Sequence, residues 1–574
     1  MKSVKNKGKI ISIIAGIIIV IMAVYIVMEQ REYVARGDEI EEYPAQWNSI
    51  IAGSANANVL IVNIDGNRYN SDDITMYMSD DMQLMCTVKK IGEMFNCAAK
   101  VHGDNSIKIT RGDVVLQISP IDSVMIKNGV LSDDMIPVEV TTKGIFISLQ
   151  SLAEMFEYSY VWDAATNQMN IMNSNQDTEV LPSYYNYEEE ERINSVKNQG
   201  NLGTCWAFAA LSAVESTLLP EEVCDFSEDH LTMNNSYNLN SNQGGDYQMA
   251  TAYLTAWQGP VLEEDDPYGD GITNSDLTPV KHVQEVQIIP AKDYNEIKMT
   301  ILKYGGVQSS LYAANTNSRL VESVYYNKLT NCYCYDGNEV PNHDIVIIGW
   351  DDDYAKENFN VEVEGNGAFI CRNSWGESFG TNGDFYVSYY DSNIGNYNVA
   401  YTKVENRDNY DNIYQSDLCG WVGQVGYGKE EAYFANVYES EGEEELKAVG
   451  FYSTGPNTEY SVYFCEQFDT TTVLSRRGDP VVTGTLKNAG YYTVNIDKTI
   501  HLNKGQKYAI IVRIKTPNSE RPVAVEFKND YATETVDISD GQGYISLKGI
   551  EWENTEDKHM CNVCLKTYTN DVEE

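Results

Sequence analysis

The chain has 574 residues, which at roughly 100–200 residues per domain allows three or four domains. Hydrophobic residues make up 43% of the chain, a share that supports packed cores and excludes a wholly disordered protein. The formal net charge of -44 argues against a nucleic-acid partner, because such a surface repels phosphate backbones.

The N-terminus carries a targeting signal. Lysines precede an uncharged run at 10–28, whose 19 residues are enough to cross a bilayer as a helix. The run is longer than the apolar part of a usual cleaved signal peptide, and no small-residue cleavage site follows it. Since the positive flank stays in the cytoplasm, we predict a cytoplasmic basic tail at 1–9, a transmembrane signal anchor at 10–28 and a tether at 29–56. The predicted location is the cell membrane with the bulk extracellular; cleavage of the signal would instead give a secreted protein.

Residues 57–173 contain an internal repeat. Ile91 to Phe95 recurs as Leu152 to Phe156, and strand-like runs flank each copy. A short helix between strands, used twice, predicts a small α+β module. The pattern resembles the repeat domain named after the copper amine oxidase N-terminal region, which is common on bacterial surface proteins, and the resemblance implies a stalk or interaction module. No cluster of metal ligands accompanies the repeat, so we predict no copper.

A linker at 174–180 leads to a region of mixed pattern at 181–403. We expect a helix to begin near Cys205 and apolar strands at 344–349 and 368–371. From 405 to 570, β-branched and aromatic runs alternate with turn residues, which predicts an antiparallel β-sandwich. The clearest of these strand-like runs are 460–465, 491–496, 508–514 and 523–527.

Cys205 is the candidate nucleophile. It stands where a polar, glycine-containing turn becomes an apolar helix, so its thiol faces the positive end of the helix dipole, which favours the thiolate. A cysteine before an alanine-rich helix is, taken alone, most often a small buried hydrophobe. A thiolate nucleophile also needs a partner base, and two segments further along the chain supply candidates.

His343 is the strongest of six candidate bases, because it opens an apolar strand that would hold an imidazole rigidly. Asn373 lies in the segment Asn373-Ser374-Trp375-Gly376. Its side-chain carbonyl can accept the imidazole N–H and fix the orientation of the ring, the role of the third member of a catalytic triad. Trp375 can cover that hydrogen bond and keep water away.

The segments around Cys205, His343 and Asn373 together resemble the papain family of cysteine peptidases. The resemblance implies a papain-like α+β peptidase domain at 181–403, a Cys-His-Asn acyl-enzyme mechanism and no cofactor. It places Gln199 in the oxyanion hole, together with the backbone N–H of the nucleophile.

The same resemblance assigns Gly244, Gly245 and Trp375 to substrate binding. Two positions depart from the family pattern. Leu202 stands where the family usually has a disulfide-bonded cysteine, so the turn that holds the nucleophile must be fixed by packing and hydrogen bonds. Asp344 follows the histidine where a small residue is common, which is expected to alter the pocket.

The remaining candidate sites carry little chemistry. Asp351 to Asp353 do not match the spacing of a calcium loop, and the lone pair Cys561 and Cys564 lacks the second pair that a zinc site needs, so we predict no metal. Of the eleven cysteines, ten remain after the nucleophile, a number that permits disulfides without proving them.

The C-terminal region, from Tyr410 to Gln415 onward, resembles the lectin-like domain that follows papain-type peptidases in some microbial surface proteins. That implies binding to a cell-surface glycan, although a purely structural sandwich fits equally. The sequence thus predicts a cysteine endopeptidase acting on extracellular proteins. Two alternatives stay open, a surface transpeptidase that uses the same triad and a non-catalytic adhesin with a vestigial peptidase domain.

Overall fold

The computed structural model describes residues 41–42, residues 61–173 with short gaps, and residues 181–572 except 191, 193–194 and 315–316. The predicted basic tail, membrane anchor and linker lie outside the described residues, as does the predicted tether apart from 41–42. Within the described ranges no helix is both long and apolar enough to cross a membrane.

The chain divides into two compact units. The smaller contains Ser49–Pro182, and the larger contains Ser183–Glu362 and Asn366–Glu574.

In the smaller unit, each copy of the sequence repeat forms a seven-residue helix, Val88–Met94 and Leu149–Met155. Thr87 and Ser148 cap these helices through their side-chain oxygens. The rings of Phe95 and Phe156, one from each copy, lie 5.5 Å apart, so the two copies share one core. The strands form one five-stranded and two four-stranded sheets. Their bounds are Ile61–Ile64, Asn67–Asn70, Met76–Met78, Leu84–Thr87, Ala98–Val101, Ile107–Arg111, Val114–Ser119, Val124–Lys127, Val130–Ser132, Val138–Thr141, Gly144–Ser148, Tyr158–Asp163 and Gln168–Asn173.

The first half of the larger unit packs the helix Cys205–Leu218 against a twisted sheet. Trp206, Ala210 and Val214 are among the residues of this helix that are buried against neighbouring elements. The helices of this half are Cys205–Leu218, Glu228–Asn234, Tyr247–Thr255 and Tyr294–Lys303, with 3-10 turns at Asn317–Glu322 and Lys356–Asn358. Its strands are Tyr184–Asn186, Lys281–Ile289, Val307–Leu311, Tyr326–Asn327, Cys332–Tyr333, His343–Asp351, Ala368–Arg372, Asp384–Ser388 and Asn398–Asn406.

The C-terminal half is rich in β-strands, as predicted, and its described strand pairs from Asn412 to Asp571 are all antiparallel. The strands are Asn412–Tyr414, Gly423–Val425, Glu431–Glu439, Glu444–Ser453, Thr458–Cys465, Val482–Leu486, Ala489–Asn495, His501–Leu502, Lys507–Lys515, Val523–Phe527, Gly543–Ser546, Glu553–Asn554, Cys561–Val563 and Leu565–Asp571, with short helices Thr471–Leu474 and Thr555–His559. A large apolar core lies between their sheets. The strand Glu41–Glu42 pairs with Gly423 and Gln424 at one edge.

The two halves of the larger unit share a sheet. Lys281–Ile289 of the first half pairs antiparallel with Ala489–Asn495 of the second, within one sheet of 14 strands. The hydroxyl of Thr493 donates a 2.6 Å hydrogen bond to Gln284 across this junction. The two halves are therefore joined by main-chain hydrogen bonds between strands, and not only by the chain that connects them.

Candidate active site

The helix that carries the candidate nucleophile begins at Cys205, as the sequence predicted. Thr204 precedes it but makes no side-chain cap, because its hydroxyl bonds instead to the hydroxyl of Tyr268 at 2.6 Å. The backbone N–H groups of Asp344, Trp206 and Cys205 lie close enough to the thiol of Cys205 to lower its pKa. The start of the helix and the start of the strand His343–Asp351 therefore meet at the thiol.

His343 and Asn373 are brought together by two adjacent strands. Nε2 of His343 lies 2.9 Å from Oδ1 of Asn373, and both residues are buried. The indole of Trp375 stacks on the imidazole, with ring centroids 4.4 Å apart and an angle of 24° between the planes. The other ring nitrogen, Nδ1, bonds to none of the residues that the structure describes. The ring is therefore fixed in orientation and presents one nitrogen for proton transfer.

Burial shifts both groups toward their neutral forms. Desolvation and, to a smaller extent, the charge of Asp344 together raise the pKa of Cys205 to about 12, although the three backbone N–H groups oppose these effects. Desolvation also lowers the pKa of His343 to about 4, although the hydrogen bond that its ring donates to Asn373 opposes this shift. A single charge on either group is therefore costly, whereas moving the thiol proton to the imidazole creates two opposite charges that compensate each other. This desolvation opposes the stabilisation of the thiolate that the sequence predicts from the helix dipole.

Gln199 is buried and held at both ends of its amide. Its Oε1 accepts a 2.6 Å hydrogen bond from the hydroxyl of Ser374, and its Nε2 donates to the carbonyl of Leu202 at 2.8 Å. An amide nitrogen carries two protons, so one N–H of Gln199 remains for a substrate oxygen. Leu202 occupies the position of the missing family cysteine, and here its main chain anchors the predicted oxyanion donor.

A buried ion network supports this loop, and the sequence interpretation missed it. Nζ of Lys197 lies 3.0 Å from Glu215, on the helix Cys205–Leu218, and 2.8 Å from Glu228. Burial alone would lower the pKa of Lys197, but the negative charges of Glu215 and Glu228 outweigh burial and raise it. The network ties the loop before Gln199 to the nucleophile's helix. The sequence signal for this network is Lys197, which lies two residues before Gln199 in the segment that leads to the nucleophile.

Packing explains why position 245, the second of the two predicted substrate-binding glycines, carries no side chain. A Cβ at Gly245 would lie 2.4 Å from the indole of Trp206 and 2.9 Å from the sulfur of Met249, so a larger residue would collide. Gly244 has a φ of +80°, which favours glycine. Trp375 is buried and contacts the imidazole. A direct contact of any of the three with substrate stays a prediction.

No group of three or more His, Cys, Asp or Glu side chains in the described ranges is arranged to hold a metal ion. None of the eleven cysteines forms a disulfide in this structure.

Comparison with known proteins agrees with this geometry. The sequence model of the papain family cysteine protease matches residues 181–405, and that of the lectin like domain matches residues 413–569. Residues 181–405 are a papain-family cysteine peptidase domain. Enzymes of this family are hydrolases, and in this chain the peptidase domain is followed by a β-rich lectin-like domain.

Individual relatives resemble mainly the peptidase domain. The chain is 28% identical over 211 residues to the viral cathepsin of Heliothis zea nuclear polyhedrosis virus, covering 35% of this chain and 51% of that protein. It is 27% identical over 210 residues to cathepsin J of Rattus norvegicus, covering 35% of this chain and 59% of that protein. The chain thus spans between half and three fifths of the length of these two curated relatives.

One solved structure resembles both domains. It contains the cysteine protease and lectin-like domains of Cwp84, described as a surface layer associated protein of Clostridium difficile. The identity is 28% and the TM-score 0.60, and the match covers 68% of this chain and 89% of that one. The likeness therefore extends to the order of the two domains.

Proposed function

We propose that the protein is a cysteine-type endopeptidase that hydrolyses peptide bonds of extracellular proteins through a covalent acyl-enzyme. The observation that carries the proposal is the 2.9 Å hydrogen bond between His343 and Asn373, which Trp375 covers. The backbone N–H of Asp344, the residue after His343, lies close enough to Cys205 to lower the pKa of its thiol. A buried imidazole with one nitrogen held and the other available is suited to exchange a proton with a neighbouring thiol.

The first half of the reaction forms the acyl-enzyme. The proton of Cys205 passes to His343, and the sulfur attacks the carbonyl carbon of the scissile bond. The amide N–H of Gln199 and the backbone N–H of Cys205 stabilise the oxyanion of the tetrahedral intermediate. The imidazolium then gives its proton to the leaving nitrogen, the C–N bond breaks, and the substrate's acyl group remains as a thioester on Cys205.

The second half releases the product. The neutral imidazole of His343 takes a proton from water, and the resulting hydroxide attacks the thioester carbon. The same N–H donors stabilise the second oxyanion, and collapse of the intermediate expels the sulfur, which regains its proton from the imidazolium. Asn373 keeps the ring in one orientation through both halves, so the same nitrogen can serve as acid and as base.

The direct test is cleavage of an unfolded protein substrate by the purified extracellular part of the chain. Cys205→Ala is expected to abolish cleavage, because no other group replaces the nucleophile. Cys465→Ala is a matched control, since Cys465 is also only partly buried but lies in the lectin-like domain. Cleavage by the Cys205→Ala variant at the rate of the native protein would refute the proposed mechanism.

We place the enzyme outside the cell membrane, anchored by 10–28 with its N-terminus inside, on the sequence pattern of the basic flank and apolar run. The surface-layer description of Cwp84 supports this setting. The lectin-like domain would then hold the peptidase near a cell-surface glycan. Membrane fractionation, with protease added to intact cells, tests the location: the catalytic domain should be degraded from outside and should stay with the membrane fraction after a salt wash.

A transpeptidase would use the same acyl-enzyme but transfer the acyl group to an amine. Product analysis with and without an added amine separates the two reactions. An adhesin with a vestigial peptidase domain is disfavoured, because Gln199, Cys205, His343 and Asn373 are all retained, whereas loss of one member is the usual mark of a decayed enzyme.

A further inference from the structure

A carboxylate lies beside the nucleophile and takes no part in the proposed mechanism. Asp344 directly follows His343, and its backbone N–H lies close enough to the thiol of Cys205 to lower its pKa. Its side chain is partly exposed. The hydroxyl of Ser310, opposite it on the neighbouring strand, donates to Oδ1 at 2.6 Å, and Nε2 of Gln308 donates to Oδ2 at 2.9 Å. The carboxylate is therefore held in a fixed position, and Gln308, which bonds to it, also approaches the carbonyl of Trp206, the residue after the nucleophile.

The partners of Asp344 are all neutral. Gln308 is fixed in turn, since its Oε1 accepts from the hydroxyl of Tyr401 at 3.0 Å and its Nε2 also approaches the carbonyl of Trp206. Among the described residues, no lysine, arginine or histidine forms an ion pair with Asp344. A partly buried carboxylate without a positive partner is costly in the free enzyme. A positively charged group from outside would remove that cost.

The part of a substrate that comes closest to this carboxylate can be deduced from the chemistry. The acyl part, which precedes the scissile bond, becomes attached to the sulfur of Cys205, so its first side chains lie within a few ångströms of the sulfur. The backbone N–H of Asp344 lies near the same sulfur. Lysine and arginine carry a cation at the end of a long stem and form charge-assisted hydrogen bonds with carboxylates, which are roughly twice as strong as neutral ones.

We infer that Asp344 is a specificity-determining residue, which makes the peptidase prefer lysine or arginine at one of the two substrate positions before the scissile bond. The inference rests on the proposed peptidase function. The general negative charge of the protein also attracts cations, but that long-range field acts at every substrate position, whereas Asp344 acts at one. A single-position preference therefore distinguishes the two effects.

Desolvation, with a smaller contribution from the charge of Asp246, raises the pKa of Asp344 to about 6, while the hydrogen bonds from Ser310 and Gln308 oppose the shift. The carboxyl is therefore mostly neutral below pH 6 and charged above it, so the preference for a basic side chain should increase as the pH rises through 6. The titration of the catalytic pair affects basic and neutral substrates alike and cancels in their ratio. The other titratable groups around Asp344 are Cys205, His343, Asp246 and Tyr401.

The experiment measures kcat/KM on internally quenched peptides that differ only at the two positions before the scissile bond. Each position carries lysine, arginine, leucine, norleucine or glutamate in turn. We expect the native enzyme to cleave the lysine or arginine peptide at least tenfold better than the norleucine peptide at one of the positions. Asp344→Asn should reduce that ratio to less than threefold. The ratio is the readout, because loss of the Asp344 charge also acts on the Cys205 thiol and changes the rates on both peptides together.

Asp351→Asn is the matched control, because Asp351 is also partly buried but ends the same strand far from the thiol. It should leave the ratio unchanged. A native enzyme that cleaves the panel without a basic preference, or an Asp344→Asn variant that keeps the preference, would overturn the inference and leave the proposed function intact. Failure to cleave any peptide, together with failure of the unfolded protein to be cleaved, would instead refute the proposed function itself.

Discussion

The two halves of the larger unit share a sheet but use buried polar groups differently. In the peptidase domain several of these groups belong to the candidate active site, where His343 bonds to Asn373 and Gln199 bonds to Ser374, the residue after Asn373. In the lectin-like domain the buried pair of Lys566 and Asp417, 2.8 Å apart and almost inaccessible, joins the strand Leu565–Asp571 to the segment that follows the strand Asn412–Tyr414. The contrast teaches that burial of charge is not by itself a sign of catalysis. A catalytic site is recognised instead by buried polar groups that hold a reactive side chain in place and leave one of its atoms available for reaction.

The largest expected effect concerns the buried ion pair of the lectin-like domain. Lys566→Met leaves the carboxylate of Asp417 buried without its cation, so we expect the free energy of unfolding to fall by about 3–5 kcal/mol. Chemical denaturation of the purified protein measures the loss. Lys515→Met is the control, because the ion pair of Lys515 with Glu459 is exposed and should contribute less than about 1 kcal/mol. Equal effects of the two substitutions would contradict the structural role of the buried pair.

The second prediction concerns the catalytic side. Gln199→Ala removes the side-chain oxyanion donor, so kcat should fall by about 10²–10³ while KM changes little. The cleavage rate of a fluorogenic peptide measures the effect, and the unfolding midpoint shows whether the loop has survived. A variant that unfolds would be replaced by Gln199→Glu, which keeps the size of the side chain. Full activity of a folded Gln199 variant would show that the oxyanion is bound elsewhere.

The smallest expected effect probes the junction between the halves. Thr493→Val removes the hydroxyl that bonds to Gln284 across the shared sheet, so the free energy of unfolding should fall by about 1 kcal/mol. If the two halves unfold as one cooperative unit, the single transition should shift as a whole when followed by fluorescence and by loss of peptidase activity. Thr485→Val, on an exposed position of another strand, should change it by less than about 0.5 kcal/mol. Two separate transitions would show that the shared sheet does not couple the halves.

The sequence predicted the local features well. The helix that begins at Cys205 and the strand that begins at His343 follow from short patterns of apolar residues, and the structure places both as expected. The strand pairing of Lys281–Ile289 with Ala489–Asn495 was not predicted, because strand register between distant segments leaves no local pattern. The pKa shifts at the thiol were also missed, since desolvation depends on packing that only the folded chain shows.

The repeat region illustrates a partial prediction. Both copies of the repeat form helices between strands, and these helices begin where the sequence places Thr87 and Ser148. The likeness to the copper amine oxidase N-terminal repeat stays a prediction, as do the membrane anchor at 10–28 and the glycan partner.

The central claim, that Cys205 is an activated nucleophile held with His343, is tested most directly by labelling with an epoxide inhibitor of cysteine peptidases, followed by mass spectrometry of the digested protein. The account predicts one adduct per chain, on Cys205 out of the eleven cysteines, and its loss in His343→Ala. An adduct distributed over several cysteines, or one that forms on Cys205 at the same rate without the imidazole, would contradict it.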